Sequence, residues 1–165
     1  MKLVNFSLVA ALLLSLVSPA AAQEQPTEMT QERYLKYLEQ FNAGDEHYAD
    51  IYDDNVIFYH APQFGVLRGK QAILDLYRKI WQQVKETVTA RTVVVDPKHG
   101  LIAAELSTKL VATGDGVKMP SGVLNRGDVL ISEGTVYYEL KNGRIALIRS
   151  SIEGTRVVRK EATER

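Results

Sequence analysis

The chain has 165 residues, with 20 basic and 20 acidic side chains, 45% hydrophobic residues and no cysteine. A balanced charge offers no electrostatic footprint for nucleic acid or for an anionic membrane. Without cysteine there is no disulfide framework, and three dispersed histidines make no zinc pattern, so no metal is expected.

Met1-Lys2 is a short basic start, and Leu3 to Val17 is an almost unbroken apolar run. Ser18-Pro19 breaks it, and Ala20-Ala21-Ala22 has the small side chains of a signal-peptidase site. This predicts a signal peptide over 1–22, cleaved before Gln23, and a periplasmic or secreted protein with no membrane attachment afterwards. The alternative is an uncleaved anchor, but the run of about 15 residues falls short of the roughly 20 that span a bilayer. Cleavage removes one charge, Lys2, and leaves 19 basic against 20 acidic side chains.

Residues 23–29 are polar and read as a flexible leader before a single domain over 30–155. Thr30 can cap a helix in which Tyr34, Tyr37, Leu38 and Phe41 recur at helical spacing, and Gly44 stops it. Asp45 can cap a second, short helix with Tyr48, Ile51 and Tyr52. Val56 to His60 reads as a short strand ended by Pro62, and Gly65 to Gly69 as a loop or tight hairpin. The strongest helix spans Lys70 to Val84, with Ile73, Leu76, Tyr77, Ile80, Trp81 and Val84 as its apolar stripe.

From Thr87 the period becomes that of strands. Thr87–Asp96, Leu101–Val111, Asp128–Leu140 and Ile145–Gly154 are predicted as four long strands in a meander. Asp96 to Gly100 is a turn by composition, and Asn142-Gly143 is the strongest hairpin signal. Thr113 to Gly127 is a long loop, either a lid or an extended hairpin tip. Residues 156–165 read as a charged, solvated tail. Helices followed by antiparallel strands make an α+β class, with helices laid across a curved sheet around a pocket.

Tyr37, Asn42-Ala43-Gly44-Asp45, Tyr52-Asp53-Asp54, Pro62 and Leu67-Arg68-Gly69-Lys70-Gln71-Ala72-Ile73 together resemble the SnoaL-like branch of the nuclear-transport-factor-2-like superfamily. The resemblance covers about Met29 to Gly154 and implies a cone-like fold with an internal pocket. That fold hosts isomerases, dehydratases, epoxide hydrolases, cyclases and proteins without known chemistry, so it names no reaction. The steroid isomerases of the superfamily carry a hydrogen-bonding tyrosine five residues before an Asn-Ala-Gly-Asp segment, where Tyr37 stands. Their basic aspartate precedes a proline, and Ala61 precedes Pro62 here. Their second acid falls at about Val136. The resemblance is therefore to their fold and not to their catalytic acids.

If Ala61 and Val136 face inward, as the resemblance implies, alternation puts Tyr59 and Ile57 on the inner face of the short strand. It also turns Leu130, Ser132, Gly134 and Tyr138 inward, with Ile148, Ser150 and Ile152 as inner candidates on the last strand. Tyr34, Tyr37, Tyr77 and Trp81 can point in from the helices. The catalytic candidates are Tyr37 and Tyr59 as hydrogen-bond donors and His60 as proton carrier. Tyr37 reads equally as a core tyrosine, and strict alternation turns His60 outward, though the strand is ending there. Tyr34, Tyr77, Trp81, Ser132 and Tyr138 are ligand-binding candidates, with Arg68 at the pocket mouth for an anionic group or simply solvated. Glu105, Lys109, Glu133 and Glu139 alternate outward and suit cross-strand ion pairs. Val129, Ile131 and Tyr137 on that face are apolar, and with the resemblance they predict a homodimer packed through the sheet.

The expected function is a cofactor-free lyase or isomerase moving a proton on a small hydrophobic or aromatic molecule. The alternative is a non-catalytic binding or accessory protein, or an interaction module dimeric through the sheet face.

Overall fold

The computed structural model describes residues 28–60 and 65–161. The expected signal peptide, most of the leader, Ala61, Pro62 and the last four residues of the tail lie outside the described residues.

Helix α1 spans Gln31–Ala43. The Thr30 hydroxyl accepts from the Arg33 amide at 3.1 Å, which satisfies one of the helix's unpaired first-turn donors. Gly44 closes it at φ 68°, and the Gly44 and Asp45 amides donate to the Phe41 and Gln40 carbonyls. The buried face carries Tyr34, Tyr37, Leu38 and Phe41, the expected stripe. Asp45 then caps a 3-10 helix, Glu46–Ile51.

Strand β1, Tyr52–Tyr59, begins four residues before the expected Val56. It folds back on β2, Val66–Arg68, as an antiparallel hairpin. Helix α2, Lys70–Trp81, stops before Val84, which opens β3, Val84–Asp96. The remaining strands are β4 (Leu101–Ala112), β5 (Val117–Met119), β6 (Gly122–Leu124), β7 (Val129–Lys141) and β8 (Arg144–Val158).

Six strands form one sheet in the order β2-β1-β8-β7-β4-β3, and β5 pairs with β6 separately. The β1–β8 pairing is parallel and the other pairings are antiparallel. The four long strands are the expected meander, and the β7–β8 turn uses Asn142 at φ 52° and Gly143 at φ 70°, the left-handed pair that a tight hairpin of this twist requires. The architecture is α+β, with the helices on one face of a six-stranded, mostly antiparallel sheet.

The main core joins α1, the 3-10 helix and the inner sheet face. Phe41 is its hub, packing edge-to-face on Tyr48, Tyr77 and Trp81 with ring centroids 5.2, 4.8 and 5.2 Å away. Such pairs add about 1 kcal/mol each beyond their burial. A second cluster holds Val84, Ala112, Val117, Leu124 and Leu130, and it seats the β5–β6 hairpin on the sheet. The segment expected as a loop over 113–127 is therefore largely this hairpin.

Strand β3 is a sheet edge, so one row of its backbone groups has no strand partner. Asn42 takes up that row at one residue, Val88. Its side-chain amide donates to the Val88 carbonyl at 2.9 Å and its oxygen accepts from the Val88 amide at 2.7 Å. Helix α1 is thus tied to β3 two residues from Glu86.

The expected tail over 156–165 is exposed at its described residues apart from half-buried Val157, but its first residues are strand rather than an unpaired end. Strand β8 runs to Val158, which pairs with Val129. Beyond it Arg159 and the Lys160 amide bond the Asp128 carboxylate at 2.7 and 2.9 Å. Backbone amides of Asn125 and Lys160, with the Arg159 guanidinium, hold the Asp128 pKa down to about 2. These partners account for a buried aspartate at 4% exposure.

Candidate active site

A cavity of about 590 Å³ lies between the helices and the inner sheet face. On β7 and β8 the expected inner residues Leu130, Ser132, Gly134, Val136, Tyr138, Ile148, Ser150 and Ile152 all line it, and around the bulge Glu133, Ser151 and Thr155 line it as well. The tip of the β5–β6 hairpin adds Met119, Pro120 and Ser121.

On β1 the expected face is wrong by one residue. Phe58 and His60 line the cavity, whereas Tyr59 is 40% exposed with the Arg149 guanidinium 5.8 Å from its ring centre. Ile57 is half-buried and does not line the cavity. The expected phase is counted back from Ala61, which lies outside the described residues; along the strand itself Phe58 and His60 share the cavity side, and Ile57 and Tyr59 the other.

The helical candidates divide. Tyr37 and Tyr77 line the cavity. Tyr34 lies behind it, fully buried, its hydroxyl 3.0 Å from that of Tyr138. Trp81 is not a lining residue but reaches one, since its Nε1–H donates to Oε2 of Glu86 at 3.1 Å. Arg68 is exposed on β2 and does not line the cavity.

Glu86 is the site residue that sequence reasoning missed. It lines the cavity from β3, between the buried Val84 and Val88 on the same face. Burial of its carboxyl raises the pKa to about 7, and the Trp81 hydrogen bond pulls weakly the other way. A signal was present: one acidic residue alternates between two valines. It is obscured because Val84 fits the apolar stripe of the preceding helix as well as the buried face of the strand.

Around this acid stand hydroxyls that keep their protons. Tyr37 and Tyr52 share a hydrogen bond of 2.9 Å. Burial holds both phenols well above their ordinary pKa. One hydroxyl donates to the other, so the pair retains one O–H for a ligand oxygen. Tyr34 is raised to about 12 by burial. His60 stacks on Phe58 at 4.5 Å, and burial lowers its pKa to about 4, so its imidazole is neutral at pH 7.

On the outer face the acids are paired as expected. Arg91 reaches Glu133 at 2.8 Å and Glu105 at 3.7 Å, and Arg149 reaches Glu139 at 2.5 Å. Glu133 sits beside the bulge before Gly134 and also touches the cavity; its Oε1 accepts from Ser107, while Oε2 is buried without a partner among the described residues.

The model of the SnoaL-like domain matches residues 34–148. No curated protein matches the chain in sequence. Among solved structures, the chain is similar to a SnoaL-like polyketide cyclase from Agrobacterium tumefaciens strain C58, at 21% identity and TM-score 0.58, covering 76% of this chain and 93% of that one. It is similar to an LEH-like epoxide hydrolase from M. tuberculosis, at 16% identity and TM-score 0.57, covering 74% and 80%. It is also similar to an NTF2-like protein from Burkholderia pseudomallei K96243, at 12% identity and TM-score 0.59, covering 76% and 92%. At these identities the likeness is one of fold.

Proposed function

The chain belongs to the SnoaL-like domain family of the NTF2-like superfamily, and from that premise we propose that it is a cofactor-free lyase or isomerase that moves a proton on a small hydrophobic or aromatic carbonyl compound. One observation carries the reading: a carboxyl group with a pKa of about 7 stands in an otherwise apolar and aromatic cavity. A base poised near the working pH is present in its active form and still strong enough to take a proton.

Glu86 removes a proton from the carbon next to the carbonyl. Trp81 holds Oε2 and leaves Oε1 for the substrate. Tyr37 and Tyr52 supply an O–H to the oxygen on which negative charge develops, in a cavity where a fixed donor is worth more than in water. The protonated Glu86 then returns the proton to the same or a neighbouring carbon. His60, held neutral, is a weak base here and serves better as a hydrogen-bonding partner than as the proton carrier first expected. Tyr59 has no role in this scheme, since it faces away from the cavity.

The test uses 2-tetralone as probe, with exchange of its α-hydrogens in D2O followed by NMR. The rate should exceed the buffer rate and rise with pH through a titration near 7. Exchange no faster than buffer would reject the reading. A second reading, a non-catalytic binding protein, is favoured by the tyrosine hydroxyls already satisfying one another in pairs; it requires 2-tetralone to bind without exchange.

Export after cleavage before Gln23, and a homodimer through the outer sheet face, remain proposals. The half-exposed Tyr137 and Val94 support the dimer. Light scattering should give twice the chain mass and N-terminal sequencing of the exported protein should begin at Gln23; a monomer mass or a Met1 start would reject the respective proposal.

A further inference from the structure

The charges around the cavity are one-sided. No Lys or Arg lines it among the described residues, and its two carboxylates are Glu86 and Glu133. Glu133 already has a countercharge in Arg91 at 2.8 Å. Glu86 has a neutral partner, the indole N–H of Trp81. The groups facing Glu86 from each packed element are also neutral at pH 7: Tyr37 from α1, Tyr48 from the 3-10 helix, Tyr77 from α2 and Leu110 across the β3–β4 ladder.

A desolvated carboxylate without a cation gains when one arrives, because the Coulomb attraction in such surroundings is screened little by water. Aromatic faces add a second attraction for a cation. Phe41, Tyr37, Tyr52 and Tyr77 all line this cavity. An anionic ligand would meet the same carboxylate as a like charge, with no cationic side chain among the described lining residues to offset it.

We propose that the cavity binds hydrophobic amines as their ammonium cations, the nitrogen paired with the Glu86 carboxylate and the hydrocarbon against the aromatic walls. The inference goes beyond proton transfer and rests only on the reading that this cavity is the ligand site. It also defines the substrate class from the other side, by excluding carboxylates and phosphates.

The experiment is calorimetric titration of the full chain with three probes of one shape: 2-aminotetralin, tetralin-2-carboxylate and 2-tetralol. At pH 8 the amine should bind at least about tenfold tighter than the carboxylate, with the alcohol between. The amine stays protonated from pH 6 to pH 8 while Glu86 ionises, so its affinity should rise about tenfold over that range. In Glu86→Gln the rise should vanish. The proposal is overturned if the carboxylate binds as tightly as the amine, if the amine does not bind, or if its affinity in the parent is flat with pH. The first comparison uses the parent alone, so a poorly folded variant does not decide it. Loss of 2-tetralone exchange with amine binding intact would reject the enzyme reading and leave this one standing; the reverse pattern would reject this one only.

Discussion

Glu86→Gln should lower the rate of 2-tetralone exchange by a factor of about 10²–10⁴, the usual worth of a general base. Glutamine has the same shape and its oxygen can still accept from Trp81, but its amide cannot take a proton. The same substitution should raise stability above neutral pH, and the sign follows from linkage. The carboxyl titrates near 7 in the folded chain against 4.5 as its ordinary value, because burial disfavours the charged form. The folded state therefore holds the proton more tightly than the unfolded state. Stability from this group is fully present below about pH 4.5 and is lost as pH rises through 7. A shift of this size corresponds to about 3 kcal/mol. Glutamine never ionises, so it escapes the loss. Urea unfolding at pH 5 and pH 8 should show parent and variant close together at the lower pH and the variant more stable at the higher. A variant that exchanges as fast as the parent would remove Glu86 from the chemistry, and one that loses stability at pH 8 would contradict its desolvated setting. Lost activity with gained stability is the pattern of a residue kept for function at a cost to the fold.

Gly134→Ala should destabilise the fold by about 3 kcal/mol or more, since a new methyl group in a closed space forces the backbone to move. A Cβ at this position would lie 2.1 Å from the Ser151 carbonyl oxygen and 3.2 Å from the Ile152 Cα. Both are backbone atoms of the neighbouring strand, so no side-chain rotation can relieve the clash. The approach is close because β8 carries an extra residue here: Glu133 pairs with Gly154 but Gly134 pairs with Ile152. The bulge bends the sheet around the cavity, which Gly134 itself lines. Gly154→Ala is the matched control, because nothing lies within 4 Å of a Cβ there. Its unfolding midpoint should stay near that of the parent. Equal stability of the two variants would show that the strands do not approach this closely.

Much of the fold was legible because its signals are local. Thr30, Gly44 and Asp45 mark helix ends through hydrogen bonds within a few residues, and Asn142-Gly143 marks a hairpin through its own dihedral angles. The inner residues of β7 were legible too, since Leu130, Ser132, Gly134, Val136 and Tyr138 fall on one face at every second position, with Glu133 at the bulge the exception. The α2–β3 junction was not, because Val84 satisfies the helical stripe as well as the strand face. That ambiguity hid Glu86. The end of the chain was misread for a related reason: Arg156 to Lys160 is charged, and only its pairing with β7 and Asp128 makes it structured.

The sequence by itself determined the α+β class, the order of elements, the family resemblance and which face of β7 points inward. The class and the order of elements follow from periodicity, capping and turn chemistry, each a relation between residues near one another in the chain, and the inward face of β7 from the resemblance, which implies that Val136 faces in. Tertiary structure alone decided that Tyr59 faces out and His60 in. Alternation gives a strand two faces but not which one is buried, and here Phe58 and His60, stacked on each other, take the cavity side. It alone decided that a carboxyl with a raised pKa lines the cavity, for a carboxyl pKa depends on the water excluded around it. For Glu86 that exclusion is made by α1, the 3-10 helix and α2, none of which adjoins it in sequence except through Trp81.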